Sequence, residues 1–202
     1  MLRQLLQLLS GNVDQRRRDG SMIADRYANV SMVNQFGETV RFADEFVTGR
    51  ALIVNTMFTQ CRGSCPGTAE KLEELREILS PVFRDKLSIV SFTLEPEIDS
   101  PAVLKRYVKM YGAHERKKDT CDWQFLTGTK ADIEKLRRSL GFYDLDPALD
   151  SDITQHDSLL LFGNATTDRW AVLPAALRMP LLIEAVRRVA GFTFEQRYGI
   201  PG

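Results

Sequence analysis

Ala51-Leu52-Ile53-Val54-Asn55-Thr56-Met57-Phe58-Thr59-Gln60-Cys61-Arg62-Gly63-Ser64-Cys65-Pro66 is the stretch on which the fold turns. Its first half is almost continuously apolar and rich in β-branched residues, the pattern of a strand covered on both faces. Two thiols separated by three residues follow. Pro66 then suits the first turn of a helix, because its missing N–H would have no intrahelical partner there. The order predicted is central strand, thiol loop, helix.

Downstream, Ala69, Leu72, Leu75 and Leu79 recur at helical spacing as far as Pro81. Residues 87–94 form a second strand candidate, ending at Glu95-Pro96. Asp99-Ser100-Pro101 opens another helix with Ser100 as N-cap and Leu104, Tyr107, Val108 and Tyr111 turned inward. Residues 123–126 predict a short strand. Thr129-Lys130-Ala131-Asp132 resembles a capping box for a helix that reaches Leu140 and stops at Gly141. Residues 144–155 read as polar and irregular. Residues 158–162 and 169–173 predict a hairpin around Gly163-Asn164, and a last helix spans about 180–190. Upstream, residues 30–33 and 39–42 predict a β-hairpin through Asn34-Gln35-Phe36-Gly37-Glu38.

Strand–helix–strand crossovers imply parallel pairing. The fold class expected is therefore α/β, a thioredoxin-like layout with an N-terminal β-hairpin and a later hairpin insertion. Residues 1–25 read as a tail or linker, 26–191 as the domain and 192–202 as a C-terminal tail. The leucine-rich start, MLRQLLQLL, is too short and too polar for a signal-peptide core or a membrane span, so no signal or transmembrane segment is visible in this chain.

The chain has 202 residues, 44% of them hydrophobic, which suits one well-filled core. Lys plus Arg and Asp plus Glu each number 27. That balance provides no basic field for nucleic acid or an anionic membrane. Three cysteines are an odd count, against a disulfide-stapled scaffold and in favour of local chemistry.

A helix start favours a thiolate, because unpaired N–H groups and the helix dipole stabilise the anion, and Arg62 adds a positive charge. Cysteines four apart there can approach disulfide geometry or share one metal. Cys61 and Cys65 could thus be a static bridge, a redox pair or half of a metal site. Ligands of mostly parallel sheets bind beyond the carboxyl ends of the strands, where the thiol loop and Glu95 both fall. If residues 158–162 run antiparallel to the central strand, their start lies at the same edge and brings His156 towards the thiols. Two thiolates and an imidazole suit copper, whereas structural zinc would want a fourth ligand, for which Glu95 or water could serve. His114 lies in a charge-dense loop and reads as solvated. Cys121 reads as an incidental buried thiol, with a resolving cysteine as the alternative, and Trp123 and Trp170 read as packing anchors.

These residues resemble the Sco/SenC family of thioredoxin-like proteins, associated with assembly of the copper site of cytochrome c oxidase. The resemblance runs from about Arg26 to Ala190. It rests on the segments 30–37, 55–66, 94–101 and 123–128 and on Gln155-His156. It implies a copper site of Cys61, Cys65 and His156, dithiol–disulfide cycling of the two cysteines, and a periplasmic or otherwise extracytoplasmic location. Glu95-Pro96 departs from the family's usual Asp-Pro, and the family's N-terminal anchor is not visible, so membrane contact would need one.

The function expected is a copper metallochaperone that delivers copper to, or matures, a cuproprotein site such as that of cytochrome c oxidase, gated by oxidation of the thiol pair. Its partners would be a copper-acceptor protein, for example an oxidase subunit, and a thiol–disulfide reductant. The alternative is a thiol–disulfide oxidoreductase without a physiological metal. In that enzyme Cys61 attacks a partner disulfide, Cys65 resolves the mixed disulfide, and His156 tunes thiolate basicity. A peroxidase-like enzyme and a redox-silent interaction domain are more remote readings.

Overall fold

A computed structural model describes residues 27–153 and 158–191. The proposed tails at 1–25 and 192–202 lie outside the described residues. Seven strands form one sheet in the order β2-β1-β5-β4-β3-β6-β7. They are β1 (Ser31–Asn34), β2 (Thr39–Arg41), β3 (Ala51–Met57), β4 (Leu87–Thr93), β5 (Asp122–Thr127), β6 (Leu159–Asn164) and β7 (Arg169–Pro174). β3, β4 and β5 are parallel, and β1–β2, β1–β5, β3–β6 and β6–β7 are antiparallel. The helices are α1 (Cys65–Phe83), α2 (Pro101–Tyr107), α3 (Lys130–Leu140), α4 (Pro147–Ser151) and α5 (Met179–Val189).

β3 is central and buried on both faces, as its composition requires. Ala51, Ile53 and Met57 join Leu72, Leu75 and Leu79 of α1, Leu104 of α2 and Leu182 and Val186 of α5 in one core. The alternate residues Leu52 and Val54 join Phe42, Phe46, Ile133 and Leu136 on the other face. Period-2 alternation divides one apolar run between two helical layers. Each such Leu or Ile stabilises the fold by roughly 1.5–3 kcal/mol relative to exposure.

Several boundaries differ from expectation for local reasons. α1 continues through Pro81 to Phe83. Proline forfeits only one backbone bond near the end of the helix. Ser80 Oγ donates to the Arg76 carbonyl at 2.7 Å, and buried Phe83 draws the final turn onto the core. The helix opened by Ser100 becomes a 3-10 turn over Val108–Tyr111 and ends at left-handed Gly112. The segment read as irregular contains the short α4, capped by Asp146 and tied by Asp150 to Arg137 of α3. A short π-helical segment, Ala43–Val47, buries Phe46 and had no periodic signal.

Gly163 and Asn164 are not the hairpin turn; both belong to β6, and residues 165–168 make the connection. Gly163 is required by space: a Cβ there would lie 2.4 Å from the Arg169 carbonyl oxygen and from the Trp170 ring. Asn164 donates to the Ala190 carbonyl at 3.0 Å and accepts from the Thr166 N–H at 2.9 Å, fastening both the turn and the end of α5. Among the described residues no helix is long and apolar enough to cross a membrane.

Gly163→Ala is expected to lower stability by about 1–3 kcal/mol, the usual cost of overpacking, read as a lower urea midpoint. An unchanged midpoint would show that both the Trp170 ring and the Arg169 backbone can move aside.

Candidate metal and redox centre

The thiol loop begins where β3 ends. β3 and β4 pair from Ala51↔Leu87 to Met57↔Thr93, so their carboxyl ends finish level. The Leu94 N–H donates to the Met57 carbonyl at 2.9 Å and extends the ladder by one bond. The Cys61 N–H then donates to the Phe58 carbonyl at 3.2 Å as the chain turns towards α1. Cys65 is the first residue of α1 and Pro66 lies in its first turn. The Ser64 side chain makes no capping hydrogen bond, so the helix start is left to other acceptors.

One acceptor is sulfur. Both cysteines are half-buried and unbridged, yet their chemistry is opposite. Burial alone would raise the Cys61 thiol, but the Cys65 S–H and the N–H groups of Cys65 and Gly63 donate to it and hold it below the ordinary value. Cys65 is pushed up to about 12, first by deeper burial and then by donating to Cys61. Of the two sulfurs, Cys61 is therefore the one that ionises first, while Cys65 holds its proton more tightly. Burial and these hydrogen-bond donors, rather than the charge of exposed Arg62, set the Cys61 thiol. Tyr107, half-buried and packed with Cys65 against the core, is pushed up by burial, by Tyr111 and by the thiols themselves.

The sulfurs open into a cleft of about 320 Å³ lined by Met57, Phe58, Leu94, Ile153 and Ser158 as well as the loop. Ser158 is there because β6 runs antiparallel to β3, with Leu161↔Val54 and Asn164↔Ala51, which puts the start of β6 at the carboxyl end of β3. The antiparallel pairing expected from the sequence holds. His156 itself lies outside the described residues. Among the described residues, no three His, Cys, Asp or Glu side chains gather closely enough to hold a metal. The structure thus brings together two of the three expected ligands, plus the rim of the segment that carries the third.

Glu95 reaches the same edge. Its negative charge opposes ionisation of Cys61, while its own carboxyl is pushed up first by burial and then by Asp99. One of its oxygens, Oε2, is buried with no hydrogen-bond partner among the described residues.

Asp99 was not anticipated as part of the site. The segment Asp99-Ser100-Pro101 reads as a helix start, and Ser100 does cap α2, accepting from the Val103 N–H at 3.4 Å. Asp99, one residue earlier, turns back into the protein and is fully buried. It accepts from the Thr59 N–H at 3.0 Å, from the Thr59 hydroxyl, and from the Thr93 hydroxyl at 2.6 Å. Only the coincidence of threonines at the ends of two predicted strands hinted at this.

The other candidates fall away from the centre. His114 is exposed, 3.8 Å from the Glu115 carboxylate. Cys121 is fully buried just before β5, with its N–H bonded to Ser80 Oγ and its carbonyl to Arg76. It sits at the amino edge of the sheet, whereas the thiol loop leaves the carboxyl edge. β4 spans seven residues between those edges, roughly 20 Å at about 3.3 Å per residue. Cys121 is therefore no resolving partner for the pair. Trp123 is a core anchor that donates to Ser91 Oγ at 3.1 Å, and half-buried Trp170 stacks edge-on with Tyr27 at 5.0 Å.

The SCO1/SenC family model matches residues 20–190. The chain belongs to the SCO1/SenC family. A Stutzerimonas stutzeri protein whose name describes it as copper-binding is 28% identical over 152 residues, covering 73% of this chain and 68% of that relative. Bradyrhizobium japonicum ScoI, solved with copper bound, superposes with a TM-score of 0.60 at 20% identity, covering 79% of this chain and 96% of that one. BsSco, a Sco-family cytochrome c oxidase assembly protein in which a disulfide switch has been identified, superposes with a TM-score of 0.62 at 22% identity, covering 83% and 95%. At these identities the solved structures establish the thioredoxin-like Sco fold of this SCO1/SenC member.

Alkylation of the reduced protein by iodoacetamide is expected to rise with pH in a step at Cys61 centred below the ordinary thiol value of about 8.5. Cys65→Ala removes the S–H donor, so the step should move upward. Peptide mapping assigns the label, and a wild-type step at or above the ordinary value contradicts the geometry.

Proposed function

We infer that this SCO1/SenC protein binds copper through Cys61, Cys65 and His156 and passes it to a cuproprotein acceptor, with the thiol pair gating the site by oxidation. The observation that carries this reading is the sulfur pair itself: two free thiols, one the readier to ionise, lining the same open cleft at the carboxyl edge of the sheet. Thiolate sulfur is the donor that Cu(I) prefers. Metal binding would displace the Cys65 proton, since the ligand is the deprotonated sulfur. Ser158 lines the cleft, and two peptide links separate it from His156.

The relatives support the copper assignment, since Bradyrhizobium japonicum ScoI was solved with the metal and the Stutzerimonas stutzeri relative is named for it. BsSco supports both the redox gate and oxidase assembly as the setting. Copper is cargo in this scheme. Two thiolates and an imidazole hold it firmly while leaving it accessible for ligand exchange with an acceptor. Joining the sulfurs in a disulfide removes both thiolate ligands, so a thiol–disulfide reductant is the second partner. The chain has no net charge to draw nucleic acid. An extracytoplasmic location accords with this reading.

A thiol–disulfide oxidoreductase is the second reading, and one observation favours it. A more readily ionised Cys61 beside a more deeply buried Cys65 is the arrangement of an attacking and a resolving thiol.

Anaerobic competition for Cu(I) against a chromophoric chelator separates the two. The reduced protein should bind one Cu(I) tightly, Cys61→Ser and Cys65→Ser should lose that binding, and His156→Ala should weaken it. Rapid turnover of a disulfide substrate, with Cu(I) affinity no better than that of an unrelated dithiol, would establish the oxidoreductase instead.

A further inference from the structure

Asp99 is fully buried, and its three hydrogen bonds all come from neutral donors, the N–H and hydroxyl of Thr59 and the hydroxyl of Thr93. A buried carboxylate is expensive unless it is well satisfied, and bonds to a charged acceptor are stronger than neutral ones. Capping α2 does not explain it, because Ser100 does that. Its bonds instead tie the segment leaving β3 to the last residue of β4. Thr59 lies two residues before Cys61, at the exit from β3, and Thr93 is the last residue of β4.

The network extends one step beyond Thr93. Its hydroxyl oxygen accepts from the Glu95 N–H at 2.9 Å. The Glu95 carbonyl in turn accepts from the Asp99 N–H at 2.8 Å and the Ile98 N–H at 3.0 Å. One carboxylate therefore orders the start of the thiol loop and the Glu95 turn against each other.

We propose that Asp99 is a positioning residue for the thiol centre, fixing the Thr59–Cys61 approach relative to the end of β4 so that both sulfurs are held ready for a metal or for each other. This rests on the reading of Cys61 and Cys65 as the working pair, whichever of copper binding and disulfide exchange they perform. Pre-organisation acts by removing the ordering cost from the binding step. Loosening the loop should therefore weaken metal binding and alter the disulfide equilibrium together.

The test uses Asp99→Ala, Asp99→Asn and Thr93→Val in the full chain, with Cu(I) competition, the Cys61–Cys65 disulfide equilibrium in glutathione buffers, and the urea midpoint of the reduced protein. Asp99→Ala should lower Cu(I) affinity about tenfold or more and shift the disulfide equilibrium constant by about tenfold, which is roughly 30 mV for this two-electron couple. Asp99→Asn keeps one acceptor oxygen and should change both less, and Thr93→Val should fall between wild type and Asp99→Ala. If Asp99→Ala does not fold, the other two variants carry the test. A lower urea midpoint with wild-type copper affinity and disulfide equilibrium would overturn the proposal and leave Asp99 a structural tie. If the wild type itself fails to bind Cu(I) tightly, the copper reading falls, and the disulfide equilibrium alone decides the role of Asp99.

Discussion

The level pairing of β3 with β4 is the constraint from which the candidate site follows. Because Met57 and Thr93 are partners, the segments leaving the two strands start side by side. One carries the thiols into the start of α1 and the other carries Glu95 and Asp99. The antiparallel entry of β6 on the opposite side of β3 supplies the third wall through Ser158. Parallel strands need buried crossovers, and the two apolar layers beside β3 provide them. The residues that form the core thus place chemistry-bearing groups from distant parts of the chain at one edge.

The two cysteines divide into unlike roles because they occupy unlike surroundings. Cys65 packs against the α1–α2 core, which holds its proton on, whereas Cys61 faces N–H groups at the helix start, which make its proton easier to lose. That asymmetry suits metal capture, because one sulfur ionises more readily and the second can be deprotonated by the incoming cation. It also suits disulfide chemistry, because the attacking and resolving sulfurs are distinguished in advance. Glu95 opposes excess negative charge on Cys61, so the loop is not tuned to the strongest thiolate it could carry.

Much of this was legible in the sequence, and the limits have physical causes. Continuous apolar runs such as 51–58 and 87–94 announced buried strands. Helical spacing announced α1, a capping box announced α3, and strand direction tied the segment after His156 to the thiol edge. Residues that act through space were misread or passed over. Gly163 reads as a turn residue, yet it is needed for the close approach of Trp170, a contact between two strands. Pro81 reads as a terminator, but tertiary burial of Phe83 outweighs one lost backbone bond. Asp99 reads as part of a helix start, because nothing in the helix-start pattern shows that its carboxylate turns inward to Thr93, six residues back, and to Thr59, forty residues back. α4 is short and held by the Arg137–Asp150 ion pair rather than by periodicity.

The central claim is that one copper ion sits between both sulfurs of the thiol loop and the imidazole carried just ahead of β6. X-ray absorption at the copper edge of the reduced protein loaded with one equivalent of Cu(I) tests it most directly. The account predicts two sulfur scatterers and one imidazole in the wild type, with the imidazole signature absent in His156→Ala and both sulfurs retained. A first shell containing only oxygen and nitrogen, or an imidazole signature unchanged in His156→Ala, would contradict it.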